Sequence, residues 1–244
     1  MKGSVRTYIF LIIQMVLYVL FQIIDITGGK AGLSNGIKYC IVISCFCYVL
    51  IRKCGTDKKD LDYLRGALFF TLVSDLIILF LDSGLYLYGM ISFLAAQQLY
   101  GIRLTRLRKN RPVSEEHKLS GFLPLRLGFQ LLLTMVLCFV LSFSGVAADV
   151  LIFVTILYFT SLIFNAVRSV RLAFLLPKDH RIVMFAFGLF LFLLCDINVG
   201  IFNLTDFIPL SGKGFHLLYS ISALLMWTFY APSQVLIALS SDEI

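Results

Sequence analysis

The stretch YIFLIIQMVLYVLFQIIDI, residues 8–26, carries no charge before Asp25. A hydrocarbon core of roughly 30 Å is crossed by about 20 residues of helix, and this stretch has that length. Its apolar residues are continuous rather than alternating in period two, and in lipid every backbone polar group needs an internal partner, so a helix is expected. Lys2 and Arg6 precede the run in the manner of a signal peptide. The run is longer than the usual apolar region of such a peptide and lacks a small-x-small cleavage site, so it is expected to be retained as a first helix.

Seven further runs of similar character follow, near residues 37–51, 63–81, 85–102, 123–142, 146–165, 182–202 and 215–239. Of the 244 residues, 59% are hydrophobic and 14% charged. Surface-to-volume scaling does not let a soluble fold of this length hide so much apolar surface. The expectation is therefore an all-α, polytopic membrane protein of about eight transmembrane helices, forming a single domain over residues 1–244.

The net charge of +7 is explained by topology rather than by a nucleic-acid partner, because the 21 Lys and Arg lie between the apolar runs. With the N-terminus in the cytoplasm, 18 of the 21 fall on the cytoplasmic side, and only Lys30, Lys38 and Lys213 fall opposite. That asymmetry meets the positive-inside rule for an even number of crossings, with both termini cytoplasmic. The loop Arg103 to Arg111 is expected to meet anionic lipid headgroups. The six cysteines form no C-x-x-C pair, and neither a disulfide framework nor a metal site is expected.

The two halves, about 1–110 and 120–244, resemble each other weakly. Gly66-Ala-Leu-Phe-Phe-Thr-Leu-Val-Ser-Asp75 parallels Gly188-Leu-Phe-Leu-Phe-Leu-Leu-Cys-Asp196, and each is followed by a helix with late glutamine, Gln97 and Gln98 in one half and Gln234 in the other. Four helices per half would give parallel repeats about an axis along the membrane normal. Chance likeness between two apolar helices is the alternative.

An ionisable side chain deep in a membrane helix costs at least a few kcal/mol and usually faces a polar cavity or a partner. Asp75 and Asp196 fall at similar depth, on helices running in the same direction. Two close carboxylates in low dielectric do not both ionise cheaply, so the pair would supply an acid and a base at neutral pH. That suits protonation of a substrate and activation of water without metal or cofactor. The alternative is a pair of aspartates that hydrogen-bond to neighbours and only hold helices together. Lys38 is placed to meet a phosphate or to snorkel to the interface. Gln97, Tyr100, Tyr230 and Gln234 are candidate cavity residues, the last two sharing a face at i, i+4. Asp25, Asp82, Asp149 and Asp206 lie near helix ends, where hydration accounts for them. No G-x-S-x-G occurs, and the three histidines are scattered, which argues against a serine lipase and against a histidine-based zinc site.

The blocks GALFFTLVSD and FLAAQQLY, with GLFLFLLCD and YAPSQVLIALS in the second half, resemble the YhhN-like lysoplasmalogenase family. The resemblance implies an eight-helix hydrolase in the membrane, expected to be a bacterial cell membrane. Such an enzyme cleaves the vinyl ether of a lysophospholipid to a fatty aldehyde and a glycerophospho-headgroup. By that resemblance Asp75 and Asp196 match the family's two motif aspartates and Lys38 its lysine opening the second helix, here followed by Tyr39 instead of proline. Gln97 stands where the family has histidine, with Tyr100 kept. A glutamine does not carry a proton as imidazole does, so a non-catalytic lipid-binding or sensing protein is one rival, and a proton-coupled small-solute transporter is another.

Overall fold

A computed structural model describes residues 5–52, 57–109, 123–143, 145, 149–203 and 213–242. Among these residues the chain is helical throughout: α1 Val5–Ile26, α2 Ala31–Ile51, α3 Lys58–Phe80, a 3₁₀ turn Ser83–Leu85, α4 Tyr86–Lys109, α5 Leu123–Phe143, α6 Val150–Leu175, α7 His180–Phe202 and α8 Lys213–Leu239. Seven of the eight are long and apolar enough to cross a membrane. The exception is α4, whose last two turns carry Arg103, Arg106, Arg108 and Lys109, so its apolar stretch ends early although the helix continues. The large apolar side chains exposed on the outside, such as Ile12, Met15 and Val16 of α1 and Val136, Phe139 and Phe143 of α5, are a surface only lipid can cover. This is a multi-pass membrane protein.

Polar signals set the helix ends. Asp57, Asp149 and Asp179 cap α3, α6 and α7 by accepting from backbone N–H groups of the first turn. Arg65 donates to the carbonyls of Val49, Leu50 and Arg52, meeting acceptors that the end of α2 leaves without helical partners.

The helices alternate in direction, and contacts at one end show it. Tyr48 of α2 and Thr7 of α1 both reach Asp242, just past α8. Arg103 near the end of α4 pairs with Asp60 in the first turn of α3 at 3.0 Å, and also donates to Ser240. Arg181 at the start of α7 donates to Asp60 Oδ2, which Arg103 also reaches. Arg103 is fully buried and lies over the Phe185 ring at 4.4 Å. One aspartate and two guanidiniums thus lock four helix ends together. Of the basic segment expected to meet lipid headgroups, Arg103 is instead paired inside the bundle, and Arg106 is paired with Asp57. Residues 110–122, including Arg111, Pro112, His117 and Lys118, lie outside the described residues, as do Lys2, Lys53, Cys54, Asp206 and Gly212.

The principal packed pairs run α2 on α3, α3 on α4, α4 on α6, α6 on α7, α7 on α8 and α8 back on α2, a closed ring of six helices with α1 and α5 outside against α2 and α6. When α1 is matched with α5, α2 with α6, α3 with α7 and α4 with α8, every one of these pairs has its counterpart. The match extends to side chains: Gln14 of α1 bonds Ser44 of α2, as Gln130 of α5 accepts from Ser161 of α6. Gly66 admits Leu99 of α4 against α3, as Gly188 admits Ile237 of α8 against α7. The packing supports two like-oriented four-helix halves as the proposed organisation.

Candidate active site

In the ring, α3 and α7 stand on opposite sides. Asp75 of α3 is 4% exposed. Its Oδ2 accepts from the Tyr230 hydroxyl of α8 at 2.6 Å. Because α2 separates α3 from α8 in the ring order, this bond runs across the interior. Asp196 of α7 accepts from the Tyr158 hydroxyl of α6 and is half-buried. Each carboxylate is therefore held by one phenol through its Oδ2.

Aromatic rings link the two pairs. Phe93 of α4 lies 5.6 Å from Tyr158 and 6.5 Å from Tyr230, centroid to centroid. Phe192 packs edge-on against both Phe93 and Tyr230. Such packing fixes the phenols, as edge-to-face contacts do in protein cores.

Helix α8 contains Pro232, which has no N–H to give to the carbonyl of Thr228. That carbonyl is met by the Tyr18 hydroxyl of α1 at 3.4 Å, and Gln22 donates to the Thr228 side chain. A neighbouring helix thus satisfies the backbone group that the proline frees, as the absence of water in lipid requires. The break lies between Tyr230 and Gln234, the two cavity candidates on this helix.

The remaining candidates lie at different depths. The Asn35 side chain donates to the Leu79 carbonyl, which puts Lys38 near the level of Asp75. Lys38 is buried, pairs with Asp25 at 2.8 Å and sits over the rings of Phe21 and Trp227 at 5.6 and 5.3 Å. Trp227 in turn packs on Tyr230. Asp25, expected to be merely hydrated, is instead the counter-ion of Lys38 and also accepts from Ser34. Gln97 and Tyr100 lie further along α4 toward the basic end, both fully buried. Gln97 accepts from Asn165 of α6 through both its backbone and its side-chain oxygen. Tyr100 packs against Phe185. Gln234 is fully buried, and its side-chain oxygen has no partner. The structure thus gathers Asp75, Asp196 and Tyr230 at mid-depth and places Gln97 and Tyr100 below them.

Sequence reasoning missed Tyr158, Phe93 and Phe192. A tyrosine in an apolar run carries no motif, and only the fold puts Tyr158 against Asp196. It also missed a polar seam between α4, α5 and α6. Arg126, Gln130 and Thr134 recur at i, i+4, i+8 on an otherwise apolar helix, and that period was legible.

Among the described residues, an eight-helix bundle that encloses two aspartate–tyrosine pairs defines the class as a multi-pass helical membrane protein. Within that class, the model of the YhhN family matches residues 33–241. The chain belongs to the YhhN family. No curated protein matches it, and no solved structure does.

Proposed function

We propose that this chain is a lysoplasmalogenase-like hydrolase that cleaves the vinyl ether of a lysophospholipid. The observation that carries the reading is the pair of aspartates within the bundle, each fixed by a buried phenol, the two phenols linked through the Phe93 ring. Membership of the YhhN family and the lipid-covered exterior support it.

In the proposed reaction Asp75, the more deeply buried carboxyl, holds the proton, because charge costs more where water is further away. It gives that proton to the vinyl carbon remote from the ether oxygen, and the π electrons form the new C–H bond. The positive charge left on the other vinyl carbon is shared with the ether oxygen and stabilised by the Asp196 carboxylate. Water adds to that carbon and passes a proton to Asp196. The hemiacetal then breaks its C–O bond to the glycerol oxygen, which takes the proton from Asp196, while the hemiacetal hydroxyl gives its proton to Asp75 as the carbonyl forms, so both carboxyls return to their starting states. One water is consumed, and the products are a fatty aldehyde and a glycerophospho-headgroup. Each tyrosine occupies one carboxylate oxygen, leaving the other for proton transfer.

Purified protein incubated with a vinyl-ether lysophospholipid in deuterated water should release an aldehyde carrying one deuterium next to the carbonyl. The ester-linked lysophospholipid should stay intact. Binding of the lipid with no aldehyde formed would instead favour a lipid sensor, the reading that the fully buried, hydrogen-bonded Gln97 supports.

A further inference from the structure

Arg126 of α5 is 8% exposed and lies inside the bundle. Its guanidinium donates to Gln98 Oε1 at 2.5 Å and to Asn165 Oδ1 at 3.4 Å, both neutral acceptors, while its Nε has no partner. It forms no ion pair among the described residues. Arg168 of α6 donates to the Thr105 hydroxyl and forms no ion pair among the described residues. Four other arginines at this end do have carboxylates: Arg103 and Arg181 share Asp60, Arg106 has Asp57 and Arg52 has Asp242.

The surroundings are as unbalanced as the charge. Gln97 Nε2 and Gln130 Nε2 are also buried without acceptors. Two unmet amide donors beside a guanidinium whose own Nε is unmet, and which has no carboxylate partner among the described residues, leave a deficit of acceptors and of negative charge. A buried cation with only neutral partners is costly in a membrane bundle, and an anion with several oxygens removes both deficits together. The slot is also shaped for the arginine. A Cβ on Gly101 of α4 would collide with the Arg126 guanidinium, so only glycine lets the fork lie against that helix.

The geometry points to a phosphate-class anion site around Arg126, between α4, α5 and α6, whose occupant is the headgroup phosphate of the lysophospholipid. The fork of an arginine suits phosphate oxygens better than a point charge does. Depth supports the headgroup. Ser74, beside Asp75, donates to the Gly89 carbonyl. Gln98 lies nine residues beyond Gly89, about 13 Å along the helix. On α6, Asn165 lies seven residues from Tyr158, about 10 Å. After a contact of about 3 Å at each end, about 4 to 7 Å remains. Six bonds separate the phosphorus of a lysophospholipid from the nearer vinyl carbon, an extended reach of about 7 Å by ordinary chain dimensions. In naming the headgroup this inference rests on the hydrolase reading, whereas the anion site itself does not.

The test is binding of a saturated alkyl-ether lysophosphatidylethanolamine in detergent micelles, followed by the fluorescence of Trp227, the chain's single tryptophan. The matching monoalkylglycerol, which lacks phosphate, and inorganic phosphate are the comparison probes. The phospholipid should bind at least tenfold more tightly than the monoalkylglycerol, and Arg126→Gln should abolish that preference while leaving monoalkylglycerol binding unchanged. Arg126→Lys keeps the charge without the fork and should retain only part of the preference. Gly101→Ala should weaken it by displacing the guanidinium. A folded Arg126→Gln that keeps the preference overturns the site. Should Arg126→Gln not fold, an undiminished preference in both Arg126→Lys and Gly101→Ala overturns it. Inorganic phosphate binding as tightly as the phospholipid overturns the headgroup assignment. The saturated ether is not a substrate, so the two readings fail separately. Preference without any vinyl-ether hydrolysis sinks the proposed function alone, and hydrolysis without preference sinks the anion site alone.

Discussion

The Tyr230 hydroxyl donates to Asp75 across the interior of the ring at 2.6 Å, joining two helices that are not neighbours around it. The bond sets the orientation of the carboxyl that the proposed reaction uses as acid. As Asp75 gives up its proton this becomes a hydrogen bond to a charged group, which contributes about 1.5–3 kcal/mol. Tyr230→Phe should therefore lower kcat by roughly 10- to 100-fold if the bond is kept through the transition state, with KM nearly unchanged. A rise in KM at constant kcat would instead make Tyr230 a binding residue.

Asp75→Asn and Asp196→Asn preserve shape and remove the proton chemistry. Each should cut turnover by the roughly 10² to 10⁴ typical of a lost acid or base. The double variant should be little worse than either single one, because residues acting as a unit are not additive. Wild-type rate should follow a bell in pH whose limbs report the pair rather than either residue. The low-pH limb reflects protonation of the carboxylate that stabilises the cation, and the high-pH limb reflects loss of the donated proton. Folded Asn variants with full hydrolysis would end the mechanism.

At the basic end, Asp60 is bound by both Arg103 and Arg181. Removing one partner of a buried ion pair leaves the other charge uncompensated, at a cost of about 3–5 kcal/mol. Asp60→Ala should therefore lower the unfolding temperature in detergent far more than Asp62→Ala, whose carboxylate is half exposed and pairs within one helix. Equal shifts in the two variants would show that the cluster contributes little.

A Cβ on Gly188 would lie 2.7 Å from the Ile237 side chain and 3.0 Å from the Ser233 carbonyl, whereas one on Gly200 meets nothing within 4 Å. Gly188→Ala should separate α7 from α8 and destabilise by about 1–3 kcal/mol, as overpacking does. Gly200→Ala on the same helix should be neutral or slightly stabilising through helix propensity. Thermal unfolding of the two variants side by side checks the contrast.

Orientation follows from charge. In a cysteine-free background, a cysteine at Lys178, in the turn between α6 and α7, should be shielded from impermeant reagent in intact cells, and one at Gly84 should be labelled. The reverse pattern would invert the assignment of the basic end to the cytoplasm.

The sequence by itself determined the solvent, the number of helices and their alternation, because hydropathy over about 20 residues is a property of each run separately. It also identified Asp75 and Asp196, since a charge in an apolar helix stands out wherever the helix later packs. Starts and ends were less legible: α3 begins at Lys58 and α4 runs to Lys109, because capping by Asp57 and pairing of Arg103 and Arg106 carry helix into segments that read as polar loop. What only the tertiary structure decided is which polar groups meet. Tyr158 against Asp196, Asp25 against Lys38, and Arg126 left among neutral partners all depend on which helix faces which around the ring. Hydropathy sets how deep a side chain lies and says nothing of its neighbour on another helix. In a bundle whose exterior is lipid, the neighbour is chosen by close packing at positions such as Gly66, Gly101 and Gly188 and by the need to satisfy buried polar groups.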